Sequence, residues 1–151
     1  MAITYATLST AFANVKKKSV KEVGQIIGGK VEQNIKNGSF QNACAIRLSY
    51  ALNKVGISIT SKDGAVSSGK DGKKYLYRVN EVENFIKSNL YYTEILSGTN
   101  SSDFKEKQGI IIFRKCGWGD ASGHIDLYDG KNVEDHDYST TCGQVILYVL
   151  P

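Results

Sequence analysis

Apolar residues follow a helical rhythm through the first part of the chain and a strand-like one from Ile110 onward. The clearest helical face is Cys44, Leu48, Ala51, Leu52 and Val55, at offsets of 0, 4, 7, 8 and 11. Asn42 is a good N-cap for that helix, with Ser39 as an alternative one turn earlier, and Gly56 closes it. A second helix is expected over Asn80 to Ser88, with Val82, Phe85 and Ile86 inward. Leu8 to Val15 and Lys21 to Ile27 read as a short helical region, capped by Ser9 and Ser19. Ile57 to Thr60 is expected to be a short strand. Ser61 to Lys74 is rich in Gly, Ser, Lys and Asp without periodicity, and is expected to be a mobile loop. Strand-like runs follow at Ile110 to Lys115, His124 to Tyr128 and Gln144 to Leu150. Helices first and antiparallel strands later make the fold class α+β. With no linker or internal repeat, residues 1–151 are expected to be a single catalytic domain.

Composition narrows the partners. The chain has 151 residues, 41% of them hydrophobic, enough for one core. A net charge of +4, with lysines scattered or clustered at Lys16 to Lys18 and Lys70 to Lys74, carries no nucleic-acid signature. These lysines read as solvated faces. No run has the length of a membrane span, so no membrane insertion is expected. Met1 to Val15 lacks the pattern of a signal peptide, so synthesis in a cytoplasm is expected. Of three cysteines, Cys116 and Cys142 flank predicted strands and are either a pair or two separate thiols.

The chemistry lies in Cys44 and His124. A cysteine in the first turn of a helix sits near unpaired N–H groups and the positive end of the dipole, which favour thiolate. Its plainer role is as a small buried apolar residue on the Leu48 and Leu52 stripe. His124 tips the balance. Asp129-Gly130 is the preferred dipeptide of a two-residue type I′ turn, which would place Tyr128 opposite Lys131 and His124 opposite Asp135. Opposed residues have Cβ atoms roughly 4.5–5.5 Å apart, so Asp135 is expected to orient the imidazole. Asp126 is a rival on the same face, roughly 7 Å along the strand. Asp137 would oppose Ser122, beyond the end of the ladder. His136 is expected in solvent, with no role. The Cys44 N–H, with a neighbouring donor at Gln41 or Asn42, would hold an oxyanion. Trp118, beside two glycines, would either line a pocket or cap the core. Two histidines and no H-E-x-x-H pattern argue against a zinc amidase, and no cofactor is expected.

Asn42-Ala43-Cys44-Ala45-Ile46-Arg47-Leu48-Ser49-Tyr50-Ala51-Leu52-Asn53 and Gly123-His124-Ile125-Asp126-Leu127 together resemble the two signature blocks of the type VI secretion amidase effectors, family 4. The resemblance covers most of the chain, and Tyr128 departs from it where relatives carry tryptophan. It implies a papain-like, NlpC/P60-related fold and a triad of Cys44, His124 and Asp135. It also implies an antibacterial toxin that cuts peptidoglycan stem peptides between D-glutamate and meso-diaminopimelate, preferring tetrapeptides. Such a toxin would pass through the type VI secretion machinery into a neighbour's periplasm, and a cognate immunity protein would block its active site. Two other classes use the same features. One is another Cys-His-Asp acyl-transfer enzyme, transglutaminase- or deamidase-like. The other is a non-catalytic wall-binding module, which nine tyrosines and a basic charge would suit.

Overall fold

The computed structural model describes residues 3–40, 42–118 and 123–151. Four helices come first: α1 Tyr5–Phe12, α2 Val20–Ile27, α3 Gly29–Lys36 and α4 Cys44–Lys54. A two-stranded ribbon, β1 Val66–Ser68 and β2 Lys74–Leu76, leads into α5 Val79–Asn89. The remaining strands are β3 Glu94–Gly98, β4 Gly109–Arg114, β5 His124–Tyr128 and β6 Gln144–Val149. They form one antiparallel sheet in the order β3-β6-β4-β5. The architecture is a mixed α+β fold.

The sheet separates two apolar layers. Ile110, Ile112, Ile125, Leu127, Ile146 and Tyr148 join the core formed with α1, α4 and α5. Ile111, Phe113, Tyr128, Val145 and Leu147 alternate with them and pack under the later loops, with Phe104 and Cys142. This is the period-two pattern of a sheet covered on both faces. Burying that much apolar surface, at about 25 cal/mol per Å², is the main stabilising term.

The helix ends differ in part from expectation. Ser19 caps α2 in a full capping box with Glu22. Thr4 caps α1 instead of Ser9, whose hydroxyl, in mid-helix, donates to Glu134 at 2.7 Å. The α3 helix was not foreseen, since only Val31 of its eight residues is buried.

Two loop expectations are overturned. No strand forms over Ile57 to Thr60. Part of the glycine-rich Ser61 to Lys74 stretch is the β1–β2 ribbon, and α4 holds it in place. The Ser49 hydroxyl donates to the Leu76 carbonyl at 3.0 Å and accepts the Leu76 N–H at 3.1 Å. Asn53 donates to the Lys74 carbonyl at 2.8 Å. Helix side chains thus act as a further strand for β2 and bring Tyr77 and Arg78 beside the start of α4. Cys116 and Cys142 form a disulfide joining the end of β4 to the approach to β6.

Candidate active site

Cys44 is the first residue of α4 and only 2% exposed. Ala43, not Asn42, is the N-cap residue, which moves Cys44 from the second helical position to the first. Asn42 still serves the helix, because its Oδ1 accepts the Cys44 N–H at 3.0 Å. One of the orphan donors of the first turn is satisfied from two residues back. The N–H expected to hold an oxyanion is therefore occupied in the free protein. Gln41, the other candidate donor, lies outside the described residues.

His124 opens β5, the strand at one end of the sheet, against which α4 packs. Gly123 sets its position: at φ +138, a Cβ there would stand 2.1 Å from the Phe113 carbonyl oxygen. The Cys44 side chain reaches the imidazole. The other side of the ring is taken by Asp126, whose Oδ2 lies 2.6 Å from Nε2, leaving Nδ1 for the thiol. Burial pulls the His124 pKa down. The Asp126 hydrogen bond and the negative charge available at Cys44 and Asp126 outweigh it and raise the pKa to about 9.

The expected opposition of His124 and Asp135 is not present. Tyr128 pairs with Val133 instead of Lys131, so the turn spans four residues. The cause is the Asp129 side chain. Its Oδ1 accepts the N–H groups of Lys131 at 2.8 Å and Asn132 at 2.6 Å, winding the chain past a two-residue turn. Asp126 reaches the ring because strand side chains lean along the strand, which closes the roughly 7 Å gap between i and i+2 positions.

Asp126 is fully buried and held by three further N–H groups. Leu127 and Asp135 donate to Oδ1 at 2.7 and 3.0 Å, and His136 donates to Oδ2 at 2.9 Å. The His136 ring is exposed, as expected, but its backbone belongs to the site. The Asp135 carboxylate accepts the Lys17 N–H and lies 3.8 Å from the Arg47 guanidinium. Ligand atoms of His124, Asp126 and Asp135 all fall within 4.8 Å of one another. Both Asp126 oxygens already accept N–H bonds and Asp135 faces Arg47, so the chemistry of the set is that of an oriented, charged imidazole. Asp137, the other rival, accepts from Ser101 and Ser139.

A cleft of about 770 Å³ opens at Cys44, lined by Phe40, Asn42, Tyr77, Arg78, Trp118 and Tyr138 among others. Trp118 thus faces the cleft. Tyr138 was missed from sequence, lying in an aperiodic segment. Its ring stands 4.8 Å from His124 and 4.9 Å from Trp118, centroid to centroid. It shields the imidazole and links it to the wall near the disulfide. Burial, then the negative charge around Cys44, Asp135 and Asp126, raises the Tyr138 pKa.

The family model for the type VI secretion system amidase effector protein 4, Tae4, matches residues 40–148. The fold is similar to that of Tae4 in the Tae4–Tai4 effector–immunity complex from Salmonella typhimurium, at 37% identity, 98% coverage of each chain and a TM-score of 0.87. It is also similar to Tae4 in the corresponding complex from Enterobacter cloacae, at 34% identity, full coverage of both chains and a TM-score of 0.89. The Enterobacter cloacae effector alone is 35% identical, covers 100% of this chain and 98% of that one, and has a TM-score of 0.87. No curated protein sequence matches. With a histidine brought to a cysteine that opens on a cleft and this likeness along its whole length, the chain belongs to the type VI secretion amidase effectors, family 4.

Proposed function

We propose that the chain is a papain-like, NlpC/P60-related cysteine amidase that cuts peptidoglycan stem peptides between D-glutamate and meso-diaminopimelate, with tetrapeptide stems preferred. The observation that carries this reading is the buried line Cys44–His124–Asp126, which meets an open cleft at Cys44. His124 Nδ1 holds the thiol proton, and Cys44 Sγ attacks the amide carbonyl to form a tetrahedral intermediate. His124 then gives that proton to the leaving amine of diaminopimelate, and a thioester to Cys44 remains. Water, deprotonated by His124, releases the D-glutamate carboxylate and regenerates the thiol.

Asp126 orients the ring and steadies its charge by direct contact. Asp135 adds negative charge behind it and ties the segment to Arg47. The developing oxyanion would take the Cys44 N–H from Asn42 Oδ1, with a neighbouring donor at Gln41 or Asn42.

The family supports delivery by the type VI secretion machinery, which fits action in the periplasm of a target bacterium. The solved Tae4–Tai4 complexes support a cognate immunity protein, which in this reading would block the active site. The test is mass spectrometry of purified sacculi after digestion. Hydrolysis yields a free diaminopimelate amine, transfer would yield a new amide, and an unchanged sacculus would overturn the reading.

A further inference from the structure

The cleft is electrostatically simple. Among its described lining residues, Arg78 carries the only charge. Its guanidinium makes no hydrogen bond to any described residue. Two contacts aim it. It lies 5.7 Å from the centroid of the Tyr77 ring, which in turn packs on Phe40 with centroids 4.5 Å apart. One guanidinium nitrogen stands 3.8 Å from Glu81 Oε2, an ion pair too long to use its donors. Glu81 is itself fixed, because its other oxygen accepts the Ala65 N–H at 2.9 Å. An arginine held on an aromatic shelf, with its N–H fork open to a cleft, is built to receive a carboxylate through two parallel hydrogen bonds.

We propose that Arg78 is the specificity-determining residue of this cleft and binds a free carboxylate of the substrate, discriminating against the same peptide carrying a carboxamide. The proposal rests on the reading of the site as a stem-peptide amidase. Such a peptide offers two sources of this chemistry, the free α-carboxylate of the D-glutamate residue and a carboxylate of diaminopimelate. The opposite sign is disfavoured: a substrate cation would meet Arg78 without a described carboxylate lining the cleft.

The experiment measures kcat and KM of wild type, Arg78→Gln and Arg78→Lys on three synthetic stem tetrapeptides. One carries both free acids, one is amidated at D-glutamate and one is amidated at diaminopimelate. Wild type should favour the free acid over one amidated peptide by roughly 10- to 100-fold, the value of a charge-assisted pair. Arg78→Gln should erase that preference through a higher KM for the acid, and Arg78→Lys should restore part of it. The peptide whose amidation reproduces the loss identifies the carboxylate. Equal losses by Arg78→Gln on all three peptides, or no loss on any, would overturn this proposal while leaving the amidase reading standing. Failure of wild type to cut any of the three would overturn both.

Discussion

Asp126 Oδ2 sits 2.6 Å from His124 Nε2, although the two residues belong to one strand and are separated only by Ile125. The orienting carboxylate therefore comes along the strand, where the turn sequence had pointed across it. That carboxylate is fixed by its place on β5 and by the N–H groups of Asp135 and His136 beyond the turn.

Asp126→Asn should lower kcat by more than Asp135→Asn does. In a serine-protease triad the equivalent change cost about 10⁴-fold. A thiol ionises more readily, so a loss of about 10²-fold or more is expected here. Asp135→Asn should cost less than about tenfold in kcat and show mainly in stability, by about 1–3 kcal/mol, through weakened bonds to Lys17 and Arg47. Both variants are assayed on one peptidoglycan fragment and melted in parallel. A greater kcat loss at Asp135 would make that residue the third member of the triad.

Cys44→Ala should abolish cleavage and leave the far-ultraviolet circular dichroism unchanged. Alanine fits the first helical position, and its N–H still reaches Asn42. Truncating one buried sulfur should cost about 1 kcal/mol. Residual turnover at even a hundredth of wild type would exclude Cys44 as the nucleophile.

The pH dependence has a definite sign. The folded pKa of His124, about 9, lies above its ordinary value of 6.5, so the interaction stabilises the fold fully below about pH 6.5. The contribution declines as pH rises from there and is gone above about 9. Catalysis should share that limit, since the leaving amine needs a protonated imidazole. A pH–rate profile should fall on an alkaline limb near 9, and Asp126→Asn should move the limb downward.

Reduction of the Cys116–Cys142 disulfide should destabilise the protein by about 3 kcal/mol, from the lost restraint on the unfolded chain. Activity should fall further than stability at temperatures where both forms stay folded. The crosslink lies next to Trp118, whose ring meets Tyr138 over His124. Melting curves and kcat with and without a thiol reductant check both statements.

What was legible in the sequence is what local patterns encode. The Cys44 face of α4 repeats every three to four residues, and Leu48, Ala51 and Leu52 are fully buried there. The span of β5 also matched. The rest depended on partners distant in the chain. The β1–β2 ribbon has little pattern of its own and is held by Ser49 and Asn53 on α4. Strand β3 was missed because it is an edge strand with mostly exposed residues. The Asp129-Gly130 turn was misjudged because the same aspartate that favours a tight turn can also bond N–H groups two and three residues on. Arg78 and Tyr138 give no local signal, and only the folded cleft brings them to Cys44.

Strand β6 is the last of the sheet's four strands in chain order, yet it lies between β3 and β4 and pairs with both. Without it, β3 has no neighbour, and β4 and β5 are an isolated hairpin, marginal in water. The two halves of the cysteine–histidine pair also stand on elements separated by most of the chain, a topology that folds late and cooperatively. A chain cut before residue 144 would therefore carry both Cys44 and His124 without an assembled site. The cysteine and the histidine become a site only once β6 has joined the sheet.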